Sequence, residues 1–342
     1  MNTMLWIFLG LTALWMALRY LPAGADRHRP LVELIALIDF LSAPLLALLV
    51  WAILIQAWPQ TALALVELTL VCVWRLQYRL RIPSPADPVS EPGDKAAPGA
   101  SLTVMTLNCR YGKADPQSIM DQIRAHQVDL LALQEVNSSL LAGLRKVGLK
   151  ATLPYLVEGP RTDTDNGGRN ALLSRTEPMQ SQPAGLNLEA SAVPLMVVKS
   201  EAGTVRLASV HPRSPQRGAR QWGLGIERLA LLNRPRRLSP AGSPPEAGAG
   251  QEPSFTMVLG DCNANLHHPT FRAMLAAGGL RDASLSLGMG LHPTFPYRQV
   301  GLPPMIEIDH ILISRGIRVE SMRTIGVPGT DHCGLVARLH LA

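Results

Sequence analysis

The sequence predicts an α/β protein of two packed sheets with helices outside them, preceded by a region of apolar helices. Two observations carry this prediction. The composition changes near residue 81, from a region rich in Leu, Ala, Val, Ile and Trp to that of an ordinary soluble domain. Beyond that point strand-like runs and helical patterns alternate only loosely, and some strands follow each other directly. That order fits two packed sheets better than one doubly wound sheet.

The apolar region, residues 1–81, is predicted to hold about three transmembrane helices, in residues 4–18, 31–58 and 61–74. Because a bilayer core needs about 20 helical residues, the second run is expected to span it comfortably and the other two are marginal. A cleaved signal peptide is the alternative for the first run, and buried core helices are the alternative for the rest. Asp39 and Glu67 lie inside the runs, where we expect them to pair with polar groups.

Two groups of arginines follow the first and third runs: Arg19, Arg27 and Arg29, then Arg75, Arg79 and Arg81. With three spans both groups fall on one side of the membrane, which the positive-inside rule makes cytoplasmic. The sequence thus predicts a multi-pass protein of the inner (plasma) membrane with a cytoplasmic catalytic domain. The loss of one of the two marginal spans would reverse this orientation.

Residues 82–101 have the Pro, Ala and Gly content of a linker, and residues 238–254 that of a disordered surface loop. Residues 102–342 are predicted to form the catalytic domain. Its strands are predicted at 102–107, 128–133, 171–174, 193–199, 204–210, 255–259, 306–313 and 335–341, and its helices at 116–127, 216–233 and 269–277.

The net charge of +6 and the pI near 9.4 suit nucleic acid, an anionic membrane surface or a phosphorylated substrate. Charge alone does not separate these partners. Cys72 lies in an apolar run, while Cys109, Cys262 and Cys333 each stand beside a polar motif. This placement indicates buried thiols rather than a disulfide framework, and no two of the four have the spacing of zinc ligands.

Polar residues after two predicted strands indicate a divalent metal site. Glu135 ends the apolar run at 128–133, where an acid is costly unless it reaches solvent or binds a cation. Because Mg²⁺ prefers carboxylate oxygens, we interpret Glu135 as a metal ligand and Asn108 as a neighbouring amide oxygen. An ordinary acid at a helix start is the alternative.

Asp261 and Asn263 follow a strand and Gly260, which permits a sharp turn. Their spacing of two residues can aim both side chains to one side. Asp261 could then orient or deprotonate the attacking water, and Asn263 could hold a phosphoryl oxygen. An Asx turn is the alternative.

His332 and Asp309 form the most informative pair, because an imidazole steered by a carboxylate can polarise a phosphate or a water. Asp331 can reach the metal or its waters. His211, at the end of the strand at 204–210, is a second imidazole for phosphate oxygens, and Arg213 is a candidate anion contact. A surface histidine is the alternative at positions 211 and 332.

Seven segments, in this order, resemble the endonuclease/exonuclease/phosphatase superfamily: VMTLNCR, LLALQEVN, GGRNALLSR, ASVHP, VLGDCNA, IEIDHILIS and TDHCGLVARL. The resemblance covers residues 102–342 and implies a four-layer α/β sandwich that hydrolyses a phosphoester with Mg²⁺, or with Mn²⁺ instead. It implies a metal site of Asn108, Glu135 and Asp331. Asn170, in the third segment, is a further expected substrate contact in addition to Arg213. The catalytic residues that the resemblance implies are His211, Asp261, Asn263, Asp309 and His332.

Two positions depart from the family pattern. Cys262 stands where many members have an aromatic residue, which changes packing only. Arg110 stands where DNA-repair members carry an acid, which argues against an abasic-site nuclease. The apolar runs, with HPTFPY and PPMIEIDH, resemble a membrane-anchored bacterial branch. Some members of that branch act on undecaprenyl pyrophosphate in cell-wall lipid recycling and glycopeptide resistance.

The sequence therefore predicts a membrane-anchored, Mg²⁺-dependent phosphoesterase that cleaves a phosphate or pyrophosphate ester, lipid-linked as in that branch. A membrane-bound endo- or exonuclease is the alternative. Its support is the basic charge, but only 5% of the residues are aromatic, so stacking platforms for bases are scarce and nucleic acid is the less favoured partner. A degenerate scaffold would lack one of Glu135, Asp261, Asp309 and His332, and all four are present.

Overall fold

The computed structural model of the chain describes residues 2–80, 101–162, 166–234, 253–297 and 303–342. Nearly all of the predicted linker at 82–101 and of the predicted loop at 238–254 lies outside the described residues.

The N-terminal region forms four helices joined by two 3₁₀ turns. They are α1 (Asn2–Ala17), α2 (Leu31–Ala36), α3 (Ser42–Leu54) and α4 (Trp58–Leu76), with the turns at Leu18–Tyr20 and Ile38–Leu41. Two stretches, Asn2–Tyr20 and Trp58–Leu76, are long and apolar enough to cross a membrane, judged by length and composition. A signal sequence or a soluble core helix can pass the same test.

The single span predicted at residues 31–58 is wrong. The run divides into α2, a 3₁₀ turn and α3, and α3 has only 13 residues. A helix of that length covers about 20 Å, less than the ~30 Å of a bilayer core. Pro44 offers no N–H to the carbonyl of Phe40, and the carbonyl of Ala36 accepts a hydrogen bond from Asn265 Nδ2 at 3.0 Å. The helix is thus interrupted before the turn, and the apolar helix that follows, Ile38–Leu54, is shorter than the two candidate spans.

Helices α1, α3 and α4 pack together around an apolar centre that includes Leu9, Leu45 and Val71. Glu67 pairs inside this cluster as predicted, since it accepts a hydrogen bond from the Thr12 hydroxyl. Their outward faces expose large apolar side chains: Trp6, Ile7, Leu11 and Leu14 of α1, Leu46, Val50, Ile53 and Leu54 of α3, and Trp58, Leu65, Val66, Leu70 and Val73 of α4.

Asp39 pairs differently, because its Oδ1 lies 3.1 Å from His267 Nε2 of the catalytic domain and 3.9 Å from Arg75 Nε. Arg19 also reaches that domain, where its Nη1 donates to the Leu266 carbonyl at 3.0 Å. Arg19 and Arg75, one from each arginine group, therefore both lie at the end of the helix cluster that meets the catalytic domain.

The catalytic domain contains two six-stranded mixed sheets. The first has the strand order β11-β12-β1-β2-β4-β3 and the second the order β5-β6-β7-β8-β10-β9. The strands are β1 (Ser101–Asn108), β2 (Leu130–Val136), β3 (Tyr155–Glu158), β4 (Arg169–Ser174), β5 (Pro178–Asn187), β6 (Ala192–Ser200), β7 (Gly203–Val210), β8 (Phe255–Asp261), β9 (Arg281–Asp282), β10 (Asp309–Ile313), β11 (Ile317–Ile325) and β12 (Gly334–Leu341).

Six helices and one 3₁₀ turn cover the outer faces of the sheets. They are α5 (Pro116–Ala125), α6 (Ser138–Lys146), α7 (Leu149–Thr152), α8 (Pro215–Leu229), the turn Ala230–Asn233, α9 (Pro269–Gly278) and α10 (Ala283–Leu287). One apolar core, including Val104 and Leu207, lies between the sheets. A second lies between the first sheet and α5–α7, and a third between the second sheet and α8–α9. This arrangement confirms the predicted four-layer sandwich.

Two predicted strands are longer than expected, and this moves the polar residues into the strand ends. The strand predicted at 128–133 continues to Val136, with an irregularity that holds Glu135 at φ +53°. The strand predicted at 255–259 continues to Asp261. Gly260 is needed there for a close approach and not for a turn, because a Cβ at this residue would lie 2.0 Å from the Val210 carbonyl oxygen.

Candidate active site

The predicted polar residues meet at one edge of the two packed sheets. Strands β1 and β2 run parallel and bring Asn108 beside the end of β2. In the second sheet β8 runs antiparallel to β10, so that Asp261 at the end of one pairs with Asp309 at the start of the other. The loops after β7 and before β12 add His211 and His332.

A cavity of about 300 Å³ opens at this edge. Six of the predicted residues line it: Glu135, His211, Asp261, Asn263, Asp331 and His332. Asn108 and Asp309 lie behind them and contact them directly. Glu135 and His332, separated by about 200 residues in the chain, therefore face one cavity.

Glu135 is held in place by backbone groups and by a glycine. Its Oε2 accepts a hydrogen bond from the Tyr111 N–H at 2.8 Å, and its Oε1 lies 3.2 Å from Asn108 Nδ2. A Cβ on Gly167 would come within 2.3 Å of the carboxylate, so a larger residue there would displace it. The strained backbone at Glu135 turns an acid out of a buried strand and into the cavity.

Asn108 links the two carboxylates of the site. Its Nδ2 donates to Asp261 Oδ2 at 3.0 Å as well as to Glu135, while its Oδ1 accepts from the Arg110 N–H at 2.9 Å. The amide nitrogen, and not the predicted oxygen, faces the acids. Asn108 therefore acts here as a bridge that holds two negative groups together.

Asp261 is buried and accepts hydrogen bonds on both oxygens. Oδ1 accepts from the Asn263 N–H at 2.7 Å, which is the Asx turn considered for this motif, and Oδ2 lies 3.3 Å from His211 Nε2. Burial alone would raise the pKa of Asp261, but the His332 and His211 imidazoles outweigh it and lower the pKa to about 2. Asp261 is accordingly an anion at neutral pH.

His332 and Asp309 form the predicted pair, with His332 Nδ1 2.8 Å from Asp309 Oδ2. Burial alone would lower the pKa of His332, but Asp309 and Asp261 raise it to about 10. The imidazole is therefore positively charged at neutral pH, and its Nε2 lies 3.8 Å from Asp261 Oδ2. The Phe295 ring packs against it, 5.0 Å from centroid to centroid.

His211 completes the set at the end of β7. Burial opposes its protonation, yet the hydrogen bond and charge of Asp261, with the charge of Glu135, raise its pKa. Glu135 Oε1 lies 3.8 Å from His211 Nε2. The five residues Glu135, His211, Asp261, Asp309 and His332 are called the cavity cluster below.

The other predicted residues divide into two groups. Asn263, at φ +49°, and Asp331, 3.4 Å from Arg110 Nε, both line the cavity. Asn170 and Arg213, the predicted substrate contacts, are not brought into it. Asn170 is buried at the start of β4, where its Nδ2 donates to the Ala192 carbonyl at 3.0 Å. Arg213 lies against the backbone of α8 at Gly218.

Many of the lining residues were not predicted for the site, among them Arg110, Tyr111, Asn166, Arg217 and Phe295. Tyr111 is 45% exposed, and its hydroxyl accepts a hydrogen bond from the Arg217 guanidinium, which also lies 5.6 Å from the tyrosine ring centroid. Asn166 is held in place by its Nδ2, which donates a hydrogen bond to the Pro212 carbonyl at 3.0 Å. Two local signals pointed to them: Arg110 follows Asn108 by two residues, and Phe295 lies in the segment HPTFPY.

The donor set suits a divalent cation. Among the described residues, Asp261, Asp309 and His332 have ligand-type atoms within 4.8 Å of one another, and of these the two carboxylates can meet a cation while the imidazole is protonated. Asp309 Oδ1 is buried without a hydrogen-bond partner in the described part of the chain, which is costly for a carboxylate unless a cation or water meets it. Carboxylates of this kind are the ligands that hard divalent ions prefer.

A second buried group of two acids and a histidine lies behind the site. It consists of Asp282, Glu307 and His310, whose ligand atoms also lie within 4.8 Å of one another, and it is called the core cluster below. His310 Nδ1 lies 2.7 Å from Asp282 Oδ2, and His310 Nε2 lies 2.8 Å from the Ala264 carbonyl oxygen. None of the three lines the cavity.

Comparison with known proteins agrees with this geometry. Residues 105–332 match the model of the Endonuclease/Exonuclease/phosphatase family. An endonuclease/exonuclease/phosphatase family protein from Leptotrichia buccalis C-1013-b is similar in structure, with a TM-score of 0.51 at 15% identity over 70% of this chain and 100% of that one.

D. rerio TDP2, solved with a single-strand DNA product, gives a TM-score of 0.52 at 14% identity over 70% and 99% of the two chains. At this identity both likenesses concern the fold alone. No curated protein sequence matches the chain. Since the family model covers two thirds of its residues, the chain belongs to the endonuclease/exonuclease/phosphatase family, whose members are phosphoester hydrolases.

Proposed function

We propose that this protein is a membrane-anchored, Mg²⁺-dependent phosphoesterase that cleaves a phosphate or pyrophosphate ester of a lipid-linked substrate. The observation that carries the proposal is the joining of two features in one chain. The cavity cluster supplies acids and imidazoles at one edge of the sandwich, and α1, α3 and α4 expose apolar faces too large for a soluble surface.

In this mechanism Glu135 and Asp331 would hold the ion, with Asn108 positioning the Glu135 carboxylate, and Mn²⁺ would serve in place of Mg²⁺. A bound divalent ion would lower the pKa of a water and neutralise charge on the phosphoryl group. Asn108 keeps Glu135 and Asp261 at a fixed separation through its two hydrogen bonds. This prepares the acids for a cation before it arrives.

Asp261 would orient the attacking water. A carboxylate with a pKa of about 2 is a weak base, so its contribution is to accept a hydrogen bond and fix the direction of attack. Its oxygens are already aligned by Asn263 and His211. The Asn263 side chain would hold a phosphoryl oxygen.

His332 would bind and stabilise the phosphoryl oxygens as negative charge grows on them. Asp309 fixes the ring through Nδ1 and leaves Nε2 facing the cavity. His211 would add a second positive group on the other side of Asp261. We also propose Arg217 and Tyr111 as substrate contacts in place of Arg213 and Asn170, because the first pair lines the cavity.

The catalytic domain is proposed to face the cytoplasm in a plasma membrane. Arg19 and Arg75, one from each arginine group, lie at its end of the helix cluster, and the positive-inside rule assigns a basic end to the cytoplasm. A reporter fused after Ala342 tests this orientation directly: activity of a cytoplasmic reporter supports it, and activity of an exported reporter contradicts it.

The experiment that tests the function is a substrate panel on the purified full chain in detergent, with Mg²⁺ titrated. The panel holds a polyprenyl pyrophosphate, a phospholipid and supercoiled plasmid. Phosphate release from a lipid supports the proposal. Plasmid nicking without lipid hydrolysis would favour the nuclease alternative, which the basic charge and the exposed Tyr111 support.

A further inference from the structure

One loop of the catalytic domain is committed to holding the stretch between α1 and α3. This docking loop is residues 265–272, and the stretch it holds, residues 19–41, is called the connector. His268 Nε2 lies 3.0 Å from the Val32 carbonyl oxygen, and Asn265 Nδ2 donates to the Ala36 carbonyl at 3.0 Å. Arg272 Nη2 donates to the carbonyl of Arg19. Side chains of the docking loop thus supply the hydrogen-bond donors that water would otherwise supply to these backbone carbonyls.

Side chains of the connector make further buried contacts with the docking loop. Asp26 is completely buried, and its carboxylate accepts hydrogen bonds from the Thr270 N–H and hydroxyl. Arg27 pairs with Glu227 of α8 and lies over Gly223, where a Cβ would clash with it. A buried carboxylate with fixed donors is not a feature of a loose tether.

The connector also shares an apolar core with the catalytic domain. Val32 belongs to the same buried cluster as Trp222 and Phe271, between the second sheet and helices α8 and α9. Trp222 contacts the ring of His268, 5.1 Å from centroid to centroid. Helix α2 is therefore part of the catalytic domain's packing.

As a result α2 forms one wall of the active-site cavity. Val32, Glu33 and Ala36 line it together with Glu135 and His332. The wall comes from residues far outside the family segment at 105–332, so the catalytic sandwich alone does not complete this cavity.

The same wall adjoins the helices that we propose to be in the membrane. The indole N–H of Trp15, near the end of α1, donates to the Leu34 carbonyl of α2 at 2.6 Å. One 3₁₀ turn separates α2 from the start of α3 at Ser42. Since lipid headgroups lie at the ends of spanning helices, the wall would stand where a headgroup is presented.

We propose that α2 is a specificity wall, and that Ala36, Val32 and Glu33 contact the part of a membrane-embedded phosphoester next to its scissile phosphate. The substrate is taken from the bilayer that holds α1 and α4, with its apolar chain remaining in the lipid. This inference rests on the proposed function, because it concerns the same cavity and the same reaction.

The test compares Ala36→Trp with Leu37→Trp in the full chain, reconstituted in phosphatidylcholine vesicles with Mg²⁺. Leu37 is the adjacent residue, 39% exposed and not among the cavity lining residues, so it is a matched control for adding an indole. Two probes carry the same pyrophosphate: a long polyprenyl chain embedded in the vesicles and a short, water-soluble isoprenyl chain.

The expected result for Ala36→Trp is that the ratio of kcat/KM for the embedded probe to that for the soluble probe falls about tenfold, as ~1.4 kcal/mol of lost contact implies. Leu37→Trp leaves this ratio as in the wild type. The proposal is contradicted if Ala36→Trp lowers kcat/KM equally for both probes. It is also contradicted if Ala36→Trp and Leu37→Trp give the same ratio. If the wild type cleaves neither probe, the proposed function itself is wrong.

If Ala36→Trp lowers the Tm sharply, the comparison is repeated with Ala36→Leu, which adds less volume. The expected result is a smaller fall of the same ratio with an increased KM for the embedded probe. An unchanged ratio in a folded Ala36→Leu protein contradicts the proposal.

Discussion

The cavity cluster and the core cluster contain the same kinds of residue, yet they are built for different purposes. Three members of the cavity cluster (Asp261, Asp309 and His332) have ligand atoms within 4.8 Å of one another, and so do the three residues of the core cluster. In the cavity cluster one histidine nitrogen, Nε2 of His332, faces the cavity. In the core cluster both nitrogens of His310 lie within hydrogen-bond distance of oxygens of the protein.

The two clusters also differ in the charge of their acids. Burial and Asp282 raise the pKa of Glu307 to about 8, and Asp282 and Glu307 overcome burial to raise the pKa of His310 to about 9. The core cluster thus keeps a proton on Glu307 and closes its charges internally. The two clusters thus differ in their acids, since Asp261 is ionised with a pKa of about 2, while the imidazoles of both clusters are protonated at neutral pH. Composition alone therefore does not identify a site; access to the cavity does.

The largest expected effect separates the clusters by activity. Glu135→Gln and His332→Gln should each reduce hydrolysis by about 10³-fold or more, because they remove the ion's main carboxylate or the positive group at the phosphate. Glu135 faces the cavity, so the Tm of Glu135→Gln should change little, whereas His332→Gln also leaves the buried Asp309 without its charged partner, and its rate is compared per folded molecule. Steady-state rates and thermal unfolding of purified protein measure this. Retained turnover in both variants would refute the assigned roles.

The reciprocal variant in the core cluster should affect stability. His310→Gln leaves the buried Asp282 without its charged partner, and the free energy of unfolding should fall by about 3–5 kcal/mol. Turnover per folded molecule should remain near that of the wild type. Chemical denaturation and active-site-normalised rates test this pair of outcomes. A stable His310→Gln protein without activity would place the core cluster in the catalytic machinery.

A smaller effect concerns pH. The folded-state pKa values of Glu307 and His310 exceed their ordinary values of 4.5 and 6.5. The folded protein therefore binds more protons than the unfolded chain between those values and about 8 and 9, and stability should fall as pH rises through this window. Each unit of pKa difference corresponds to ~1.4 kcal/mol.

Glu307→Gln keeps the neutral shape and should flatten this dependence, so that its Tm exceeds the wild-type Tm most at the alkaline end of the window. Glu320→Gln, in the exposed pair with Arg338, is the matched control and should leave the slope unchanged. Equal slopes for wild type and Glu307→Gln would show that Glu307 is ionised in the folded protein.

The sandwich and most of the cavity cluster were predictable because their signals are local. Glu135, Asp261 and His332 each stand at the end of an apolar run, and family-like segments surround them in order. Strands β5 and β11 were not predicted because many of their side chains are exposed, which removes the apolar signal. The turn expected at Gly260 was wrong because its cause, the Val210 carbonyl, belongs to another strand.

The missed parts of the site depend on contacts across long chain separations. Tyr111 and Arg217 are 106 residues apart, and neither lies in a pattern that points to the other. The sequence did not indicate helix α2, because it lies in an apolar run with the composition of a membrane span. Hydrogen bonds from His268 and Asn265 hold it against the catalytic domain, where it forms one wall of the cavity. Hydropathy measures composition along the chain and carries no information on such docking.

The most direct test is a calorimetric titration of Mg²⁺ into the full chain, with hydrolysis measured in the same samples. The account predicts binding and Mg²⁺-dependent turnover in the wild type, loss of both in Glu135→Gln, and retention of both in Glu307→Gln. Loss of Mg²⁺ binding in Glu307→Gln with retention in Glu135→Gln would contradict it.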